Sequence, residues 1–235
     1  MVTGGTRGIG WAIARRLVQA GASLVVTGTA DQGPPALTDM GDGVDYWPLD
    51  LTNQNAVETI CARLKEMEQL DILVNNAGIN QIAAAHDVSA AMYDRVHRVD
   101  LLGPFLLSGA AIPGMRRTGW GRIVNIASIW STITKPGRAM YATSKAGLVG
   151  LTRTLAVENA EYGILVNAVS PGFTLTELTA STLSPEEMRH LASQVPARRL
   201  ASPDELAEVV TFLCSPLNTY LTAQNVTVDG GFTSI

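Results

Sequence analysis

Cysteine is nearly absent from this 235-residue chain. The two present, Cys61 and Cys214, fall in separate helix-like segments, which excludes a disulfide framework and leads us to expect free thiols in a reducing compartment. Charge is thin as well: charged residues make up 16%, and a net charge of −4 leaves no basic stripe for nucleic acid. No apolar run reaches the length of a membrane span, and no signal peptide precedes the first glycine-rich turn. A cytoplasmic protein without membrane partners is expected. Repeats and low-complexity tracts are also missing, and Gly33-Pro34-Pro35 and Pro136-Gly137 punctuate loops rather than domain boundaries. Residues 1–235 therefore read as one domain. Hydrophobic residues are plentiful by contrast, at 46%, which suits a sheet covered on both faces and buried subunit contacts.

What is present alternates. Leu24 to Thr27, Val44 to Pro48, Ile72 to Val74, Arg122 to Ile126, Leu165 to Val169 and Val226 to Val228 read as strands. Between them, Asn53 to Glu68, a long segment capped by Ser89 and reaching toward Arg117, Ala139 to Glu161, and Pro203 to Leu213 read as helices. An earlier helix carries Ile9, Ile13, Leu17 and Val18 at helical spacing. Strands alternating with helices imply right-handed crossovers, hence an α/β fold with a parallel, doubly wound sheet.

That earlier helix opens on Thr3-Gly4-Gly5-Thr6-Arg7-Gly8-Ile9-Gly10. Glycines permit a tight turn with no side chain between backbone and ligand. The helix amino end then offers free N–H groups and a positive dipole end to a phosphate. The spacing, Gly-x-x-x-Gly-x-Gly, differs from the commoner dinucleotide fingerprint. Far downstream, Tyr141 and Lys145 stand four residues apart in a helical stretch, so both side chains leave one face. A lone phenol exchanges protons poorly near neutral pH, and an ammonium one turn away stabilises its anion. Ser128, thirteen residues before Tyr141, offers a third polar group.

With these motifs in order, the chain resembles the short-chain dehydrogenase/reductase family over almost its whole length, and in particular its 3-oxoacyl-acyl-carrier-protein reductase-like members. The glycine turn matches the family's Thr-Gly-x-x-x-Gly-x-Gly, and Asn75-Asn76-Ala77-Gly78 its Asn-Asn-Ala-Gly. Ser128, Tyr141 and Lys145 fall at its catalytic positions, Pro171-Gly172 at its Pro-Gly, and Val228-Asp229-Gly230-Gly231 at its carboxyl-terminal strand ending. The resemblance implies a single-domain Rossmann-type fold with helices on both faces. It also implies an NAD(P)-dependent enzyme that interconverts a carbonyl and a secondary alcohol, with no metal. Tyr141 is then the general acid/base, Ser128 holds the substrate oxygen, and Lys145 assists the tyrosine and binds the nicotinamide ribose. Cofactor contacts are expected from Gly4, Thr6, Arg7, Gly8, Ile9, Gly10, Thr29, Asp50, Leu51, Asn76, Ala77, Gly78, Tyr141, Lys145, Pro171, Gly172 and Thr174, with Thr176 as the alternative to Thr174.

Two departures stand out. Asp100 occupies a position where the family has a catalytic asparagine, 28 residues before the serine. An aspartate has the same shape and adds a negative charge near Lys145; a solvated helix aspartate is the plain alternative. Only Met1-Val2 precede the glycine turn, where the family carries a central strand, so a truncated sequence or an unusually short strand are alternatives.

Cofactor choice turns on the end of the second strand, where an acid binds the ribose of NAD. Gly28 stands there, so a 2′-phosphate is not repelled, and Arg7 and Thr29 can bind it; Asp31 argues the other way. NADP(H) is preferred, with NAD(H) as the alternative. A small carbonyl or alcohol substrate is expected near Gln81, Ile82, Ile129, Trp130 and the segment 174–195. The candidates are a 3-oxoacyl thioester and a sugar or polyol, with a cofactor-binding redox sensor as the non-enzymatic reading. Arg116 and Arg117 can contact an acyl carrier or simply end a solvated helix. Self-association into a tetramer or dimer is implied through helices near 101–114 and 146–157, with 225–232 as a second contact.

Overall fold

The computed structural model describes residues 1–41 and 43–235. In chain order the elements are α1 (Gly8–Gln19), β1 (Leu24–Gly28), β2 (Val44–Pro48), α2 (Gln54–Glu66), β3 (Ile72–Asn75), α3 (Ala90–His97), α4 (Gly103–Thr118), β4 (Gly121–Ile126), α5 (Ala139–Asn159), β5 (Ile164–Pro171), α6 (Glu177–Thr182), α7 (Pro185–Gln194), α8 (Pro203–Cys214) and β6 (Asn225–Val228). All strand pairings are parallel: β1 with β2, and β3 through β4 and β5 to β6.

The two groups of strands are joined by a single residue. Val2 bridges Val26 of β1 on one side and Val74 of β3 on the other. Its N–H donates to the Val25 carbonyl at 2.8 Å, and its carbonyl accepts from Thr27 N–H at 3.1 Å. The flanking residues complete the other edge, with Val74 N–H donating to Met1 O and Thr3 N–H to Val74 O. Val2 and its neighbours thus satisfy backbone groups of β1 and β3 that would otherwise be orphaned in the core.

Successive strand residues feed opposite cores, which is why these strands read as continuous apolar runs. Leu73 and Ile123 pack into a cluster with Ile60, Leu107, Met115 and Ala156, contributed by α2, α4 and α5. Their neighbours Val74 and Val124 enter a second cluster with Ile13, Leu17, Leu206 and Val210, contributed by α1 and α8. Helices therefore cover both faces of one doubly wound sheet. Cys61 and Cys214 are unpaired. Burial pushes the Cys214 thiol up to about 12, so it packs as a neutral apolar group.

Three details differ from the sequence reading. The segment from Ser89 toward Arg117 is not one α-helix: α3, capped by Ser89, passes through a π-helical stretch at Arg98–Leu102 before α4 begins. β5 continues through Pro171, where the ladder to Val228 ends. Helices α6 and α7 were not anticipated, although Ser184-Pro185-Glu186-Glu187 carries a capping-box signature that forms here. No helix among the described residues is long and apolar enough to cross a membrane.

Candidate active site

At the carboxyl ends of the strands, the turn from Thr3 to Arg7 leads from Val2, between β1 and β3, into α1. Arg7, the residue before α1, makes no side-chain cap, so the first helical N–H groups are left for a ligand. Gly4 and Gly8 hold left-handed backbone conformations. At Gly10 the constraint is space: a Cβ there would lie 2.3 Å from both Asn76 Nδ2 and the Gly4 carbonyl. Asn76 clasps the turn, donating from Nδ2 to Thr3 O at 2.9 Å and Gly4 O at 3.0 Å. Thr3 Oγ1 in return accepts from the N–H groups of Asn76 and Ala77. Thr3 and Thr27, whose Oγ1 accepts from Gly4 N–H, are working parts of the cradle that sequence reasoning missed.

The sequence-chosen catalytic residues come from two elements that meet. Ser128 follows β4, and Tyr141 and Lys145 lie one turn apart on α5. Lys145 is buried; its Nζ donates to Ile126 O at 2.9 Å and lies 5.6 Å from the centre of the Tyr141 ring. One ammonium therefore ties the strand end that carries Ser128 to the helical turn that carries Tyr141. The Tyr141 phenol makes no hydrogen bond among the described residues. Ser128 Oγ accepts from Trp130 N–H at 3.3 Å, leaving its own proton available. Beneath them, Asn75 Nδ2 donates to Asn125 Oδ1 and Ser108 Oγ, and Asn125 Nδ2 to Thr152 Oγ1. This buried polar chain fixes β3, β4, α4 and α5 relative to one another.

Asp100 is not a solvated helix residue. It is fully buried in the π-helical stretch, a form of helix often found at functional sites. Its Oδ1 accepts from Ile79 N–H at 2.8 Å, and its Oδ2 lies 3.8 Å from Lys145 Nζ, a charge contact rather than a hydrogen bond. Gly78 leaves room for both: a Cβ there would sit 3.3 Å from Lys145 Nζ and 3.6 Å from Asp100 Oδ1. Burial pushes the Asp100 carboxyl above its usual range, against the opposing pull of Lys145, the Ile79 amide, Ser144 and His97. The folded protein therefore holds this proton more tightly than the unfolded chain. This contribution to stability falls as pH rises from about 4, the ordinary carboxylate value, through the raised one. Asp100→Asn removes that dependence, so its Tm should shift in the variant's favour relative to wild type across this window. Thermal melts of both proteins against pH test this; a gap that stays constant overturns it.

Other expected contacts divide. Thr6 lines the end of β1, where a Cβ on Gly28 would lie 2.9 Å from Thr6 Cγ2 and 3.1 Å from the Tyr46 hydroxyl. An acid at position 28 has no room in this packing. Arg7 and Thr29 are exposed beside it. Ile9 packs against the core behind α1, and the Leu51 side chain is buried against Gly103, so neither side chain faces a ligand. Asp50 Oδ1 accepts from both N and Oγ1 of Thr52. Pro171 and Gly172 end the β5 ladder, with Gly172 N–H donating to Val228 O. Thr174 is buried and its Oγ1 bonds back to Gly172 O, whereas the Thr176 methyl lies 3.6 Å from where a Gly8 Cβ would be. Ile129 is core rather than wall. Arg116 bonds Asn159 Oδ1 and Glu158 O and stacks on Tyr162, so it joins α4 to the end of α5.

A family model described as enoyl-(acyl carrier protein) reductase matches residues 4–233. The chain belongs to the short-chain dehydrogenase/reductase family. It is accordingly an NAD(P)-dependent oxidoreductase that interconverts a carbonyl and a secondary alcohol. Among its relatives, the 3-oxoacyl-acyl-carrier-protein reductase FabG of Aquifex aeolicus is 38% identical over 240 residues, covering 98% of this chain and 95% of that one. The FabG of Vibrio cholerae is 38% identical over 233 residues with the same coverage. Among solved structures, a gluconate 5-dehydrogenase from Burkholderia cenocepacia in complex with NADP and tartrate matches with TM-score 0.91 at 33% identity, covering 99% of this chain and 94% of that one.

Proposed function

We propose that residues 1–235 form one catalytic domain that uses NADP(H), with Tyr141 as general acid/base, Ser128 as the group orienting the substrate oxygen, and Lys145 and Asp100 as its charged support. The observation that carries this reading is the Lys145 ammonium, placed between Ile126 O, the Tyr141 ring and Asp100 beside the glycine cradle. The cradle fits a phosphate because the first N–H groups of α1 carry no side-chain cap and the turn packs too tightly at Gly10 to admit a side chain. Gly4, Thr6, Gly8 and Gly10 would hold the pyrophosphate, Arg7 and Thr29 the 2′-phosphate, and Asp50, Asn76, Ala77, Gly78 and Thr174 or Thr176 the rest. The absence of an acid at Gly28, together with the NADP in the Burkholderia structure, supports NADP(H) over NAD(H).

When bound, the nicotinamide exchanges a hydride with the reacting carbon. In the reducing direction, Ser128 donates a hydrogen bond to the carbonyl oxygen and aligns it with the Tyr141 hydroxyl. Tyr141 then gives its proton to that oxygen, and the Lys145 ammonium stabilises the phenolate that remains. In oxidation the same phenolate accepts the alcohol proton.

A 3-oxoacyl thioester is one candidate substrate class, on the names of the curated relatives. A compact hydroxy or oxo acid is the second, favoured by Lys135 and Arg138 beside Trp130. The protein is read as cytoplasmic and self-associating, as a tetramer in preference to a dimer. Exposed Leu102 just before α4, Phe105 and Leu106 on α4, and Val157 on α5 supply an apolar contact face, and the strand and turn at 225–232 a second contact. Initial rates on acetoacetyl-thioester and gluconate, each with both coenzymes, test the reading. NADP(H)-linked turnover of either substrate is expected. Tight coenzyme binding without turnover of any carbonyl or alcohol would instead identify a redox sensor.

A further inference from the structure

Two cations, Lys135 and Arg138, share the face of Trp130 and form no salt bridge among the described residues. Arg138 immediately precedes α5, three residues before Tyr141. Its guanidinium lies 5.5 Å from the centre of the Trp130 ring, and Lys135 Nζ lies 5.2 Å from the same ring. Trp130 is nearly buried, follows Ser128 by two residues, and meets Phe173 edge-on at 6.4 Å. The connecting loop is pinned where Ala83 N–H donates to Gly137 O at 3.2 Å. Both cations therefore face one indole ring, that of Trp130, whose backbone N–H donates to Ser128 Oγ, and Arg138 also feels the nearby Tyr141.

The arrangement is unfavourable for an empty protein. Arg138 Nε and Nη1 are buried with no hydrogen-bond partner, a costly state for a charged donor. Lys135 and Arg138 repel each other, and burial and that repulsion hold the Lys135 ammonium below its ordinary range. Burial lowers the Arg138 guanidinium as well, with the electrostatic influence of Tyr141 opposing it. Arg138 also sits at the positive end of α5, whose first turn holds no acid. Among the described residues neither cation forms a salt bridge. Among the described residues, the Trp130 face and the neighbouring Tyr141 offset part of these costs.

Building on the reading above, we infer that the substrate carries a carboxylate close to its reacting carbon, bound by Arg138 and neutralised by Lys135. The substrate class is then a small oxo acid and its hydroxy acid. A thioester on a carrier holds its nearest phosphate at the far end of the pantetheine arm, too remote to reach Arg138 while its carbonyl meets Tyr141. The site thus selects the compact acid over the long acyl chain.

The test compares wild type with Arg138→Gln in two assays. With NADP⁺ saturating, so that the nucleotide's own phosphate positions are filled, malonate should raise the Tm of wild type and leave that of the variant unmoved. Arg138→Lys, which keeps the charge, should restore part of the shift. In turnover, the KM for acetoacetate should rise roughly 10–100-fold in Arg138→Gln, while the KM for methyl acetoacetate stays level. Without ligand, Arg138→Gln should melt above wild type, because the buried, repelled cation is gone. Should Arg138→Gln not fold, Lys135→Gln at an exposed position provides the same comparison with a smaller effect. Equal effects on acid and ester, or malonate shifts that ignore the substitutions, overturn the proposal. If malonate binds through Arg138 but no carbonyl is ever turned over, the anion site stands and the oxidoreductase reading fails.

Discussion

Tyr141→Phe should lower kcat roughly 10²–10⁴-fold, the usual contribution of a positioned proton donor. The phenol makes no hydrogen bond within the described protein, so removing its oxygen leaves no orphaned partner behind. Stability should therefore change by no more than about 0.5 kcal/mol. The ring remains over Lys145, and Lys145 keeps its bond to Ile126 O, so NADPH affinity should hold. The measurement pairs steady-state rates with a fluorescence titration of NADPH. A variant with unchanged kcat would remove Tyr141 from the chemistry, whereas lost NADPH binding would assign it a structural role.

Gly10→Ala should act on the opposite half of the site. The new methyl would lie 2.3 Å from both Asn76 Nδ2 and Gly4 O. Asn76 cannot swing aside without losing the two hydrogen bonds that hold the turn. Overpacking of this kind costs ~1–3 kcal/mol. Where it distorts the phosphate cradle, NADPH affinity should fall roughly 10–100-fold. The Tm should drop as well, by about 2–4 °C for each kcal/mol in a chain of this size. Titration calorimetry with NADPH and a thermal melt read the two effects. Full NADPH affinity in this variant would show that the dinucleotide lies elsewhere.

Both arguments began as sequence readings, and the reason is local. Tyr141 and Lys145 share a helix, so four residues of spacing decide that their side chains emerge on one face. The glycine turn is equally self-contained, and the strand read at Val44 to Pro48 coincides with β2. Helix α7 was missed although its cap was written in Ser184 and Glu187; its helical face is short and fully outside the core. Thr3 was invisible for another reason. Its hydroxyl serves Asn76 and Ala77, more than seventy residues away, and no local pattern announces that pairing.

The sequence by itself determined the order of strands and helices and the phosphate-ready turn, because each depends on periodicity or on neighbours within a helical turn; the kind of chemistry came from its resemblance to the family. Tertiary structure alone decided that Val2 joins β1 to β3, that Asp100 is sealed against Lys145, and that Arg138 is left with unpaired donors near Tyr141. The physical reason is desolvation: the energy of a backbone edge or a charge depends on what covers it, and that covering comes from segments distant in the chain.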